Sequence, residues 1–111
     1  MWYGRHALGS FKTREECLGS LNKIRKVMDM ASKRGDFQVI SVSEYQFEGG
    51  GNGVSVVFLL SESHMSIHTW PEDGHVTYDC YTCGSTDPRI ITAELQRLLE
   101  AYEIEETFIS R

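Results

Sequence analysis

Cysteine is scarce in this chain: Cys17, Cys80 and Cys83 are an odd set of three in 111 residues. So few do not make a disulfide framework, and reduced thiols are expected. Long apolar stretches are missing too. The longest lies within Val54 to Leu60, far short of the roughly 20 residues a membrane-spanning helix needs. Arg5 and His6 interrupt the N-terminus where a signal peptide would be apolar, so the chain reads as cytoplasmic with no membrane contact. Basic residues are outnumbered, 11 against 16 acidic, for a formal net charge of −5. That disfavours nucleic acid, which needs a basic patch to displace counterions; a cationic small-molecule substrate would suit the balance better. Only two prolines occur, both at expected boundaries: Pro71 opens a turn and Pro88 stands at a helix start.

The length predicts one domain over residues 1–111, large enough to bury roughly two thirds of its unfolded surface. Trp2 to Phe11 reads as a first strand, and Thr13-Arg14-Glu15-Glu16 has the spacing of a capping box. Cys17, Leu21, Ile24, Met28 and Ala31 then recur at helical spacing, and Gly35 ends the helix. Cys17 is therefore expected to be core packing. Phe37 to Phe47 reads as a second strand, Glu48 to Gly53 as a flexible hairpin connection, and Val54 to Ser61 as a third strand. No helix start follows the glycines, so a phosphate cradle is disfavoured. His75 to Cys83 is a further strand. Asp87-Pro88 caps a second helix with the stripe Ile91, Leu95, Leu98 and Tyr102, and Ile104 to Ile109 closes the domain as a strand. The economical packing is an α+β two-layer sandwich with both helices on one face of an antiparallel sheet. Because Val57 and Leu59 are apolar as well as Val54, Val56, Phe58 and Leu60, the other sheet face is expected to pack on a second copy.

The chemistry concentrates between Leu59 and Glu72, where two histidines, three serines and two carboxylates follow an apolar run. In the later strand, alternation puts His75, Thr77, Asp79, Tyr81 and Cys83 on one face and Val76, Tyr78 and Cys80 on the other. Cys83 thus falls on the polar side and Cys80 on the apolar side. A zinc site from His64, His68, Cys80 and Cys83 has suitable ligand types. Cysteines three apart on a strand face opposite ways, however, so a zinc-stabilised binding protein is the weaker reading. A thioredoxin-like redox pair is weaker still, since no helix follows Cys80 to activate it.

Glu62-Ser63-His64-x-Ser66-Ile67-His68-Thr69-Trp70-Pro71-Glu72 and Asp79-Cys80-Tyr81-Thr82-Cys83-Gly84, with Gly4-Arg5-His6 and Gly53-Val54-Ser55 in support, resemble the prokaryotic S-adenosylmethionine decarboxylases. The resemblance implies a proenzyme that cuts itself between Glu62 and Ser63, giving chains 1–62 and 63–111. Ser63 would attack the Glu62 carbonyl carbon, with His68 and Ser55 in the processing role, and the new end would become a pyruvoyl group derived from Ser63. In turnover that group would hold the substrate amine as a Schiff base and act as electron sink, with Cys83 as the acid that reprotonates the α-carbon. No metal is implied. Trp70 and Glu72 match positions that contact substrate, and the product would feed polyamine synthesis. Family members pair into homodimers with active sites near the interface. Where they carry aromatic or proline residues before Gly-Val-Ser, this chain has Glu48-Gly49-Gly50-Gly51-Asn52, leaving Phe47 as the aromatic able to stack on adenine. Relatives that act on arginine or ornithine share the scaffold and are the alternative.

Overall fold

A computed structural model describes residues 2–111. In chain order the elements are β1 (Gly4–Lys12), α1 (Leu21–Ser32), β2 (Val39–Gln46), β3 (Val54–Leu60), β4 (Ser63–Trp70), β5 (His75–Cys83), α2 (Pro88–Leu98) and β6 (Tyr102–Ser110), with short 3-10 turns at Glu16–Gly19, Lys33–Gly35 and Pro71–Asp73. The strands make one antiparallel sheet in the order β2-β3-β4-β5-β1-β6. Three successive hairpins build the run from β2 to β5, and β1 enters between β5 and β6.

Alternation decides the two faces. On β3, β4 and β5 every second residue is buried: Val54, Val56, Phe58 and Leu60, then Met65 and Ile67, then Val76, Tyr78 and Cys80. These meet Ile24, Met28 and Ala31 of α1 and Ile91 and Leu95 of α2. Each large side chain so covered contributes about 1.5–3 kcal/mol relative to exposure. α1 lies over β2 and β3 and α2 over β5 and β1, which is the expected α+β two-layer sandwich with a bare second face. On that face Val57 is 40% exposed and Leu59 52%. The side chains of one chain therefore cover β3 on a single side. No helix is long and apolar enough to cross a membrane among the described residues.

Three local expectations need correction. The Thr13–Glu16 box does not start a helix, because the Thr13 hydroxyl is drawn into the core. It donates to the Leu99 carbonyl at 2.5 Å and accepts from the Glu15 N–H at 3.0 Å. α1 begins at Leu21 instead, capped by Ser20 Oγ on the Lys23 N–H, and Cys17 sits in the preceding 3-10 turn, half-buried against the core. The second helix is capped at Asp87 as expected, but its buried stripe is Ile91, Thr92, Leu95 and then Leu99 rather than Leu98. Tyr102 already belongs to β6. The polar cluster after β3, given no element from sequence, is a full strand from Ser63 to Trp70, joined to β3 by the two-residue turn Ser61-Glu62. Close approach fixes one glycine, since a Cβ on Gly9 would stand 2.1 Å from the Glu105 carbonyl oxygen of β6.

Candidate active site

The candidate residues fall in three places along β4 and its neighbours. At one end is the β3–β4 turn. Leu60 and Ser63 pair directly, so Ser61 and Glu62 must reverse the chain alone, and Glu62 does so at φ +60°. A non-glycine residue is uncommon there, so the peptide joining Glu62 to Ser63 follows a sparsely populated backbone conformation. Ser63 is buried, and its Oγ accepts from the Cys83 N–H at 3.4 Å. Cys83 ends β5 beside it, with Sγ 3.6 Å from Glu62 Oε2. Partial burial, and after it the Glu62 carboxylate as acceptor and as charge, push the Cys83 thiol up from its ordinary range. The shift disfavours the thiolate. Cys80 faces the core, where burial pushes it up to about 12.

At the other end lies a cavity of about 450 Å³, lined by Phe47, Gly50, Ser55, His68, Trp70 and Glu72 among others. That volume suits a small molecule. Ser55 Oγ and His68 Nδ1 are 2.7 Å apart, bonded across the β3–β4 pair where the two residues stand opposite. The glycine loop expected to be a slack connection forms a cavity wall. It is held by Phe47 N–H to the Gly53 carbonyl at 2.8 Å and by Gln46 Nε2 to the Asn52 carbonyl at 3.0 Å. Gly51, at φ +89°, has room for no Cβ because Glu72 Oε2 would be 2.5 Å away. Trp70 and Phe47, 41% and 50% exposed, offer aromatic surface to an occupant.

Between the two ends sits a polar cluster. Asp79 Oδ2 is 2.7 Å from His6 Nε2 and 3.0 Å from His64 Nε2, and Oδ1 accepts from the Ser66 hydroxyl. Arg111 donates to His6 Nδ1 at 3.3 Å, which leaves Nε2 to carry the proton toward Asp79. Burial alone would raise the Asp79 carboxyl. Together the hydrogen bonds from Ser66, His6 and His64, with the charge of His64, outweigh it and hold the group below its usual range. His6, His64 and Asp79 are also the one group spaced for a metal ion among the described residues, their donor atoms within 4.8 Å of one another. Asp79 satisfies both imidazoles without one. The zinc set weighed from sequence does not assemble, because Cys80 and Cys83 project to opposite faces.

Comparison with known proteins decides the family. The S-adenosylmethionine decarboxylase profile matches residues 5–111. The chain belongs to that family. An S-adenosylmethionine decarboxylase proenzyme of Pyrococcus horikoshii is 46% identical over 72 residues, 64% of this chain and 50% of that protein. An arginine decarboxylase proenzyme of Hyperthermus butylicus is 37% identical over 87 residues, 77% of this chain and 61% of that one. The crystal structure of the Aquifex aeolicus adenosylmethionine decarboxylase superposes with TM-score 0.90 at 30% identity, covering 99% of this chain and 91% of that one. The chain spans about half to three fifths of the length of these two curated relatives.

Within this family member, the sequence-predicted residues fall into two groups that do not touch. Glu62, Ser63 and Cys83 gather at the turn; Phe47, Ser55, His68, Trp70 and Glu72 gather at the cavity. Ser63 and His68 lie five residues apart on β4 and on opposite faces, roughly 16 Å along the strand. The Asp79 cluster was missed from sequence, since its members come from three strands whose register is set only by folding. The parity that placed Asp79 on the polar face of β5 was the one available signal.

Proposed function

We propose that the chain cuts itself between Glu62 and Ser63 and then works in the cytoplasm as a pyruvoyl-dependent S-adenosylmethionine decarboxylase, making the decarboxylated product for polyamine synthesis. The observation that carries this is the turn: a left-handed Glu62, a buried Ser63 and the Cys83 thiol within contact of each other. Ser63 Oγ attacks the Glu62 carbonyl carbon, the C–N bond breaks, and an ester with a free amine replaces the peptide. Loss of the Ser63 Cα proton then expels the Glu62 carboxylate from Cβ. The dehydroalanine left at residue 63 takes up water and releases ammonia, leaving the pyruvoyl group at the head of chain 63–111. The residues fit that group, since Ser63 is the first buried position after the exposed turn Ser61-Glu62 and its neighbour Cys83 offers a thiol. Once formed, the group supplies an electron sink for a substrate that bears an α-amine. Cys83 returns a proton to the α-carbon, while Trp70 and Phe47 receive flat apolar surface and Glu72 receives hydroxyls or positive charge.

The cavity and the turn must then meet between protomers. Two copies stacked through their open faces about a two-fold axis would bring the Ser55–His68 pair of one to the turn of the other, and would cover Val57, Leu59 and Trp70. A homodimer with two composite sites is therefore part of the reading. A second reading, arginine or ornithine as substrate, is favoured by one feature: the glycine loop brings no aromatic side chain of its own to the cavity, while Glu72 brings a carboxylate. The test is intact mass under denaturing conditions, followed by a substrate panel. Two fragments meeting at Glu62-Ser63 and carbon dioxide released from S-adenosylmethionine are expected. A single uncut chain without decarboxylase activity would refute the proposal, and release from arginine or ornithine alone would select the second reading.

A further inference from the structure

We propose that the Glu62 side chain is a positioning residue for the reaction's acid: its carboxylate receives the Cys83 S–H and keeps that proton on sulfur until the substrate's α-carbon takes it. The inference rests on the proposed role of Cys83. It gives the residue on the discarded side of the cut a task that outlasts the cut.

The geometry is specific. The positive φ of Glu62 turns its side chain back over the hairpin tip to the end of β5, where Oε2 stands 3.6 Å from Cys83 Sγ, within reach of a thiol donor. The groups that bear on this sulfur are few. Glu62 is the charged one, Ser63 Oγ and the Cys83 backbone are the polar ones, and β1 faces it with Gly4, which has no side chain. Among the described residues no cation stands with Glu62 at the sulfur: Arg111, beside Gly4, is engaged with the Tyr81 ring and with His6. A thiol in that setting stays protonated because its thiolate would face a like charge. Proton transfer to the α-carbon breaks the S–H bond, forms a C–H bond and leaves that unfavourable thiolate, which recovers its proton from water before the next turnover. Cleavage strengthens the effect, for Glu62 then ends chain 1–62 and carries a second carboxylate at the same place.

The test needs no turnover. Ser63→Ala chains, which stay uncut on the proposed reading, are treated with iodoacetamide across a pH series, and modification of Cys83 is followed by peptide mass spectrometry. Cys17 and the fully buried Cys80 serve as internal references. In Ser63→Ala/Glu62→Gln, which keeps the side-chain shape and removes the charge, Cys83 is expected to react about fivefold faster at pH 8, the factor for one unit charge about 4 Å away in water-like surroundings. Its pH profile should move to lower pH. Glu62→Asp, which keeps the charge, should stay near the parent rate. An unchanged Cys83 profile in the Gln variant, with references unaltered, overturns the inference while leaving self-processing intact. Cleavage of the Ser63→Ala chain, read from the mass of the same sample, would instead remove the reading beneath it.

Discussion

Coexpression of two single mutants can decide whether the site is shared between protomers. Ser63→Ala removes the attacking hydroxyl, and His68→Ala removes the imidazole bonded to Ser55. Within one chain Ser63 and His68 are on opposite faces of β4, five residues apart, a span of roughly 16 Å against the ~3 Å of a hydrogen bond. No rotamer closes that gap, and moving the backbone would take apart β4 at the centre of the sheet. If His68 serves processing, it serves a neighbour's Ser63. Each mutant alone should stay uncut. In a mixed dimer the His68→Ala chain keeps Ser63 and meets an intact His68 from its partner, so random pairing lets about half of those chains cleave. Distinguishable tags and intact mass would count them. Dimers that form in the expected proportions but leave every His68→Ala chain whole would refute the shared site. Cleavage of His68→Ala alone would show that the imidazole is not needed for processing.

Three further outcomes are expected. Cys83→Ala should cut normally yet decarboxylate slowly, with misprotonated product detectable by mass spectrometry; full activity would free Cys83 of its role. Thr13→Val should cost about 1–3 kcal/mol by leaving the buried Leu99 carbonyl without its donor, seen as a fall of several degrees in Tm, and an unchanged Tm would count against that bond. Because the folded-state pKa of Asp79 is depressed, its contribution to stability is present above the unfolded carboxyl value of about 3.9 and is lost as pH falls through the lower folded value. Asp79→Asn should be less stable near neutrality and show a flatter acid limb in chemical denaturation; an acid limb as steep as the parent's would place the titration elsewhere.

Much of this was legible because alternation is a backbone property. The parity of β5 put Cys83 and Asp79 opposite Cys80 before any coordinates, and Asp87-Pro88 marked a helix start through local bonding alone. β4 is hard to read because its open face is polar, with His64, Ser66 and His68, and its buried face begins and ends on hydroxyls, Ser63 and Thr69, which leaves only Met65 and Ile67 to mark the period of two. The Thr13 box failed for a tertiary reason, the hydroxyl having found a partner 86 residues away. The joining of His6, His64 and Asp79 depends on strand register, and that is settled by the sheet as a whole.

The strand order gives the proposed cut an unusual outcome. Chain 1–62 would own β1, β2 and β3 and chain 63–111 would own β4, β5 and β6, yet β1 lies clasped between β5 and β6 while β4 abuts β3. Neither piece could leave without unzipping a ladder in the interior of the sheet and baring the core under both helices. Severing the turn would free an end for chemistry while the interlock keeps the pieces in register. After the cut, assembly would become bimolecular, so resistance to unfolding should rise with protein concentration even within a single protomer.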